Sequence, residues 1–300
     1  TKRYGGTAAV DAASFDIEEK SITGLLGRNG AGKTTVMSLL TGQTFPTSGT
    51  VSVLGENPLE NDRILTQMCF MRENQRYANN VKVHHVLRSA SYFYQGWDDK
   101  LAESLVDDFG LPRGRKVIRL SRGMKSALGI VVAMAARAPV TIFDEPYLGL
   151  DATARQLFYD RLIEDYTEHP RTLVLSTHLI DEIGQLLDSV LVIDNGRIVV
   201  DAAAEDLRGS ATTLSGSTAR VEELARELIV ISRAGIGSLA SVTVAGPLTA
   251  EQRRRAAATS VELQAVPLQR LVQLASQSHQ SRPGITADPV DTSTLAGGHR

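Results

Sequence analysis

Two rhythms of apolar residues alternate along this chain of 300 residues. One is short and nearly unbroken: SITGLL (residues 21–26), VTIF (140–143) and TLVLST (172–177) have strand length and few polar positions, the pattern of strands covered on both faces. The other is longer and helically spaced: TTVMSLLTG (34–42), KSALGIVVAMAAR (125–137), ARQLFYDRLIEDY (154–166) and LIDEIGQLL (179–187). Such alternation predicts an α/β core built on a parallel sheet. SVLVIDNGRIVVD (189–201) reads as a closing hairpin that turns at Asp194-Asn195-Gly196.

Around this core the pattern changes twice. Before it, AASFDIEE (12–19) and SGTVSVLG (48–55) read as strands of an antiparallel β subdomain. From about Val83 to Gly110 the spacing is helical, in HHVLRSASYFYQGW (84–97) and in LAESLVDDFG (101–110), which Gly110 and Pro112 end. The aromatics of this segment, Tyr92, Phe93, Tyr94 and Trp97, are expected to be mostly core. Past residue 204, ATTLSG, a helix from Arg220, ELIVIS, SVTVAG, a helix from Thr249, VELQAV and LQRLVQLA predict a small α+β domain over 205–278. Residues 279–300 are polar and rich in Pro and Gly, the composition of a disordered tail.

Composition excludes little. A net charge of −2 gives no reason to expect a nucleic-acid partner, and the run Arg253-Arg254-Arg255 reads as a solvated helix face. The single cysteine, Cys69, forbids a disulfide framework and suits a reducing compartment. No signal-peptide pattern is visible. The longest apolar stretch, 127–136, falls short of the ~20 residues of a membrane span and reads as a buried helix.

The chemistry begins at residues 27–34, GRNGAGKT, which match G-x-x-x-x-G-K-[ST] between a strand pattern and a helix pattern. Gly27, Gly30 and Gly32 allow the backbone to approach a ligand closely. The amides along Arg28, Asn29, Ala31 and Thr35 then cradle phosphate oxygens at a helix N-terminus. Lys33 supplies a positive charge to the β and γ phosphates, and the Thr34 hydroxyl can ligate Mg²⁺. A nucleoside triphosphate is the expected ligand. Two further strand patterns end in chemistry: VTIF in Asp144 and Glu145, and TLVLST in His178. Asp144 is suited to hold Mg²⁺ and Glu145 to orient or deprotonate an attacking water.

With these motifs, residues 1–204 resemble the nucleotide-binding subunit of ATP-binding cassette (ABC) transporters. LSRGM (120–124) is similar to that family's signature motif. The resemblance implies that Ser121 and Gly123 contact the γ-phosphate held by a second copy. It further implies that Tyr4 stacks on adenine, that the loop containing Gly149 and Asp151 couples two composite sites, that Glu145 is the catalytic carboxylate and that His178 contacts the γ-phosphate. Arg122 and Met124 depart from the usual glycine and glutamine. The family's glutamine, which senses Mg²⁺ and the attacking water, corresponds either to Glu73 or to Gln75.

What the resemblance implies is an ATPase with Mg²⁺, acting as a homodimer on a separate integral-membrane permease, at the cytoplasmic face of the membrane. Residues about 74–119 resemble the helical subdomain that the family uses to grip that membrane partner. Bacterial drug, peptide-antibiotic or lipid exporters are the nearest type. A soluble mechanical ATPase of the same class is the alternative, against which stand the single phosphate loop, the single cysteine and the lack of sustained heptads. A nucleotide-binding regulator with little turnover is a third reading, prompted by the altered signature and opposed by the intact Glu145.

Overall fold

The computed structural model describes residues 1–73, 75–177 and 180–280, and the chain divides into two compact units, Thr1–Asp201 and Ala202–Arg300. In the first, β1 (Lys2–Tyr4) and β2 (Thr7–Val10) form a two-stranded antiparallel sheet. There follow β3 (Ile22–Leu26), α1 (Lys33–Leu40), α2 (Asp62–Leu65), β4 (Met68–Met71), α3 (Val83–Phe93), α4 (Asp99–Asp108) and a 3₁₀ turn at Val117–Arg119. Then come α5 (Arg122–Ala135), β5 (Val140–Asp144), α6 (Ala152–Glu168), β6 (Thr172–Thr177), α7 (Ile180–Ile183), β7 (Ser189–Asp194) and β8 (Arg197–Ala203).

A six-stranded sheet runs in the order β4-β5-β6-β3-β7-β8, with β4, β5, β6, β3 and β7 parallel. One face carries Leu25, Ile142 and Val174 against Val36, Met37 and Leu39 of α1. On the other, Phe143 meets Phe158 of α6 with ring centroids 5.6 Å apart. Burying each such side chain contributes about 1.5–3 kcal/mol, which fixes the register. Leu26 therefore lies opposite Thr177, Asp144 opposite Ser176 and Phe143 opposite Met71, so four carboxyl ends reach one rim. The expected hairpin forms, with Asn195 and Gly196 both at positive φ (47° and 80°), as a two-residue turn of the right twist requires.

Several local expectations fail. Residues 12–19 keep their alternation, with Phe15 and Ile17 packed on the core, yet form no ladder; left-handed residues at Ala12 and Lys20 turn the chain away at either end. Residues 48–55 reduce to a single bridge between Val53 and Glu56, beside Leu54 at φ 52°. The antiparallel subdomain is thus only β1 and β2. Of the helix expected over 179–187, whose first residue lies outside the described residues, α7 stops before Gly184, a poor helix former. Tyr92 and Phe93 are exposed, and Tyr94 and Trp97 half-buried, so these aromatics are not core: α3 turns only Val83, Val86 and Ala90 fully inward. β4, unread in the sequence, is an edge strand holding Cys69, whose thiol burial pushes up to about 11. Residues 127–136 lie almost entirely in buried α5, and among the described residues no helix is long and apolar enough to cross a membrane.

The second unit holds α8 (Ala204–Arg208), β9 (Ala211–Ser217), α9 (Thr218–Ala225), β10 (Val230–Ile236), β11 (Leu239–Ala245), α10 (Ala250–Ala258), β12 (Glu262–Ala265) and α11 (Leu268–Gln280). Its antiparallel sheet is ordered β10-β11-β9-β12. With α9 and α10 supplying Val221, Leu224 and Ala256 to the core, the β9-α9-β10-β11-α10-β12 sequence makes a ferredoxin-like unit. Thr249 caps α10 in a reciprocal capping box with Gln252. Arg254 and Arg255 pair with Glu251 and Glu227, which makes the basic run a solvated face. Of the tail expected over 279–300, residues 279 and 280 instead end α11, and the rest lies outside the described residues.

Candidate functional site

The loop from Gly27 to Lys33 leaves β3 at the rim where β5 and β6 also end. Its shape depends on missing side chains. Gly27 and Gly32 take φ of 157° and 116°, and a Cβ on them would stand 2.4 Å from the Ile193 carbonyl and 2.5 Å from that of Ala9. The Ala31 carbonyl accepts from Gly196 N at 2.8 Å, so the β7–β8 turn clamps the loop from outside. α5 and α6 begin with side-chain caps from Ser121 and Asp151, whereas α1 begins at Gly32 with none. Its first-turn amides are accordingly presented to an anion. Arg28, Asn29, Gly30 and Thr34 are exposed, and Thr35 is half-buried.

Lys33 is buried and points back into the loop. Its ammonium donates to the Gly27 and Arg28 carbonyls at 2.6 and 3.4 Å and lies 3.3 Å from Glu145 Oε1. Glu145, also buried, is held in the left-handed region at φ 50°, a conformation unfavourable for a residue with a Cβ and one that concentrates at functional sites. The neighbouring Tyr147 hydroxyl donates to Glu145 Oε2. Sequence reasoning passed over this tyrosine, although two residues is hydrogen-bond reach across a tight turn. Tyr147→Phe is expected to lower turnover about tenfold with ATP affinity unchanged, as loss of a hydrogen bond to a charged group implies. Steady-state ATPase assays decide, and unchanged turnover would assign Tyr147 to packing alone.

Asp144 accepts hydrogen bonds from Thr34 Oγ1 at 3.2 Å and Ser176 Oγ at 3.1 Å. Burial is the main cause that pushes its carboxyl above the usual range, opposed by those two hydroxyls and reinforced by the charges of Glu145 and Glu73. Among the described residues no group of three or more His, Cys, Asp or Glu could hold a metal alone. A hydroxyl beside one desolvated carboxylate nevertheless fits Mg²⁺, a hard cation that keeps waters and shares phosphate oxygens. The two glutamine-loop candidates, Glu73 and Gln75, are both exposed; Glu73 stands two residues beyond β4 and pairs with Arg122 at 3.0 Å.

The remaining expected residues fall in two places. Tyr4 is exposed on the β1–β2 hairpin, whose Ala9 touches Gly32. The Lys2 ammonium lies 5.1 Å from its ring centroid and 4.7 Å from that of exposed Phe45, a second aromatic the sequence reading missed. Ser121 caps α5 by accepting from Met124 N at 3.1 Å. Gly123 lies so close to the next loop that a Cβ would stand 2.3 Å from the Gly149 carbonyl. Asp151 caps α6 through Ala154 N at 2.8 Å. The signature-like segment is therefore braced on the Gly149–Asp151 loop within one chain, and among the described residues no recorded hydrogen bond joins Ser121 or Gly123 to the phosphate loop. His178 lies outside the described residues.

A phosphate loop at the carboxyl rim of a parallel sheet, with an acidic pair on the adjacent strand, defines a P-loop nucleotide-binding protein. The family model described as ABC transporter matches residues 10–148. The chain is 35% identical over 226 residues, 71% of its length and 70% of the other's, to the uncharacterized ABC transporter ATP-binding protein YcbN of Bacillus subtilis. It is 31% identical over 210 residues to the bacitracin transport ATP-binding protein BcrA of Enterococcus faecalis, covering 69% and 68% of the two. A solved ATP-binding subunit of an ABC transporter superposes with a TM-score of 0.63 at 26% identity, over 69% of this chain and 88% of that one. The chain belongs to the ATP-binding proteins of ABC transporters.

Proposed function

We propose that this chain binds and hydrolyses ATP with Mg²⁺ and thereby drives a transporter whose membrane-spanning part is a separate permease. The observation that carries this is the convergence of Lys33, Thr34, Asp144 and Glu145 on one rim of the sheet. The phosphate-loop amides and Lys33 bind the triphosphate, and Tyr4 stacks on the adenine. Thr34 and Asp144 hold Mg²⁺, which neutralises charge on the β and γ phosphates when bound. Glu145 takes a proton from water as the water oxygen bonds the γ-phosphorus and the bond to the β-phosphate oxygen breaks, giving ADP and phosphate. Either Glu73 or Gln75 would face the metal, and the charge of Glu73 reaching Asp144 supports the first.

With one phosphate loop and one signature per chain, two copies complete two sites, each offering Ser121 and Gly123 to the other's nucleotide. Closure on ATP and opening after hydrolysis would then be passed to the permease from the cytoplasmic side. Tyr92 and Phe93, exposed on α3, support a partner surface there. The kinship with a bacitracin transport protein supports export of a drug, peptide antibiotic or lipid. Tagged Glu145→Gln protein, captured from detergent-solubilised cells with ATP and Mg²⁺, is expected to retain a polytopic membrane protein identifiable by mass spectrometry. Capture of soluble factors alone would keep the ATPase and overturn the transport reading in favour of a soluble mechanical one.

A further inference from the structure

A departure from the family's signature, Arg122, meets one of the two glutamine-loop candidates, Glu73, in space. Arg122 Nη2 of the signature-like segment lies 3.0 Å from Glu73 Oε1, across 49 residues of sequence. The encounter is built by the fold. α5 lies against β4, where Gly129 leaves room for the Met71 side chain; a Cβ there would stand 3.0 Å from Met71 Cε. Met71 ends β4 opposite Phe143, one residue before Asp144, so the step from Met71 to Glu73 carries a carboxylate along the metal side of the nucleotide site.

Neither charge serves the fold where it stands. Arg122 occupies the first turn of α5, which holds no acidic residue, and a cation there opposes the helix dipole. Glu73 adds a further negative charge to a rim that already carries Asp144 and Glu145, and its charge reaches Asp144. The pair is partly exposed, Arg122 at 64% and Glu73 at 35%, so it contributes little to stability and parts readily. A neutral glutamine at position 73 would need no counter-charge, and a glycine at position 122 could supply none.

Resting on the ATP and Mg²⁺ site proposed above, we infer that Arg122 is a positioning residue for Glu73. In the nucleotide-free chain it engages the Glu73 carboxylate, and the pair must part before Glu73 can face the cation held by Thr34 and Asp144. The signature-like segment and the metal side of the site are thereby linked within one chain: recruiting Glu73 to the metal releases Arg122 at the N-terminus of α5.

The test is the Mg²⁺ requirement for binding a fluorescent ATP analogue, titrated from EDTA upward on the full chain. Arg122→Gln is expected to lower the half-saturating Mg²⁺ concentration about three- to fivefold, the size of one freed surface ion pair. Arg122→Lys should restore the parental value, and Arg122→Gln added to Glu73→Gln should have no effect. An Arg122→Gln shift that persists in the Glu73→Gln background, or no shift in a variant that melts as the parent does, overturns the inference. If the parent binds the analogue identically in EDTA and in Mg²⁺, or not at all, the metal or the nucleotide reading itself has failed.

Discussion

Glu145→Gln is expected to reduce ATP turnover by about 10²–10⁴-fold, the usual worth of a positioned general base, while leaving ATP bound. The substitution keeps the shape of the side chain. Its single carboxamide oxygen can still accept from Lys33 while the NH₂ donates to the Tyr147 hydroxyl oxygen, so the backbone at φ 50° keeps its supports. It cannot take a proton from water. If two copies close on ATP, the variant should accumulate as an ATP-loaded dimer, read as a doubling of mass by light scattering together with failed release of ADP. A variant that hydrolyses ATP at the parental rate would remove Glu145 from the role. One that stops turning over yet stays monomeric with ATP bound would keep the base and refute the dimer.

Asp144→Asn is expected to act in opposite directions on activity and stability. Loss of a metal-holding carboxylate removes several kcal/mol of transition-state stabilisation, on the order of 10³-fold in rate. The same carboxylate costs the nucleotide-free fold. Its carboxyl is raised above 3.8, chiefly by burial, so the folded chain holds that proton more tightly than the unfolded chain. Its ionisation therefore opposes folding, fully at pH values above the folded pKa and not at all well below 3.8. The asparagine variant should melt higher at pH 7, by about 2–4 °C for each kcal/mol relieved, and the difference should vanish near pH 3. One of the two hydroxyls, on Ser176 or Thr34, can still donate to the carboxamide oxygen, while the other turns to accept from the carboxamide NH₂. A variant less stable at pH 7 as well as inactive would make Asp144 a structural carboxylate rather than one kept for a cation.

The Lys33 ammonium spans the phosphate loop and Glu145. A triphosphate bound in that loop, as proposed above, would compete with Glu145 for the same cation.

The core was legible in the sequence because its signals are local. Unbroken apolar runs mark the buried strands β3, β5 and β6. Asn195-Gly196 permits the turn that joins β7 to β8, and the spacing of residues 27–34 sets a loop that only glycine can follow. The helices and strands of the second unit were readable for the same reason, each carrying its own periodicity and, in Thr249, its own cap. What the sequence could not determine is which segments meet. Residues 12–19 alternate as a strand does, but a strand needs a partner, and the left-handed turns at Ala12 and Lys20 deny them one. β4 became an edge strand because β5 offered it a ladder, not because MCFM announces one. The bond of Ser176 to Asp144, the pressure of Gly149 on Gly123 and the pairing of Arg122 with Glu73 depend on strand register and on how α5 packs. Periodicity and dihedral preference are properties of neighbours in the chain; contacts between charges and hydroxyls many residues apart exist only once packing has brought them together.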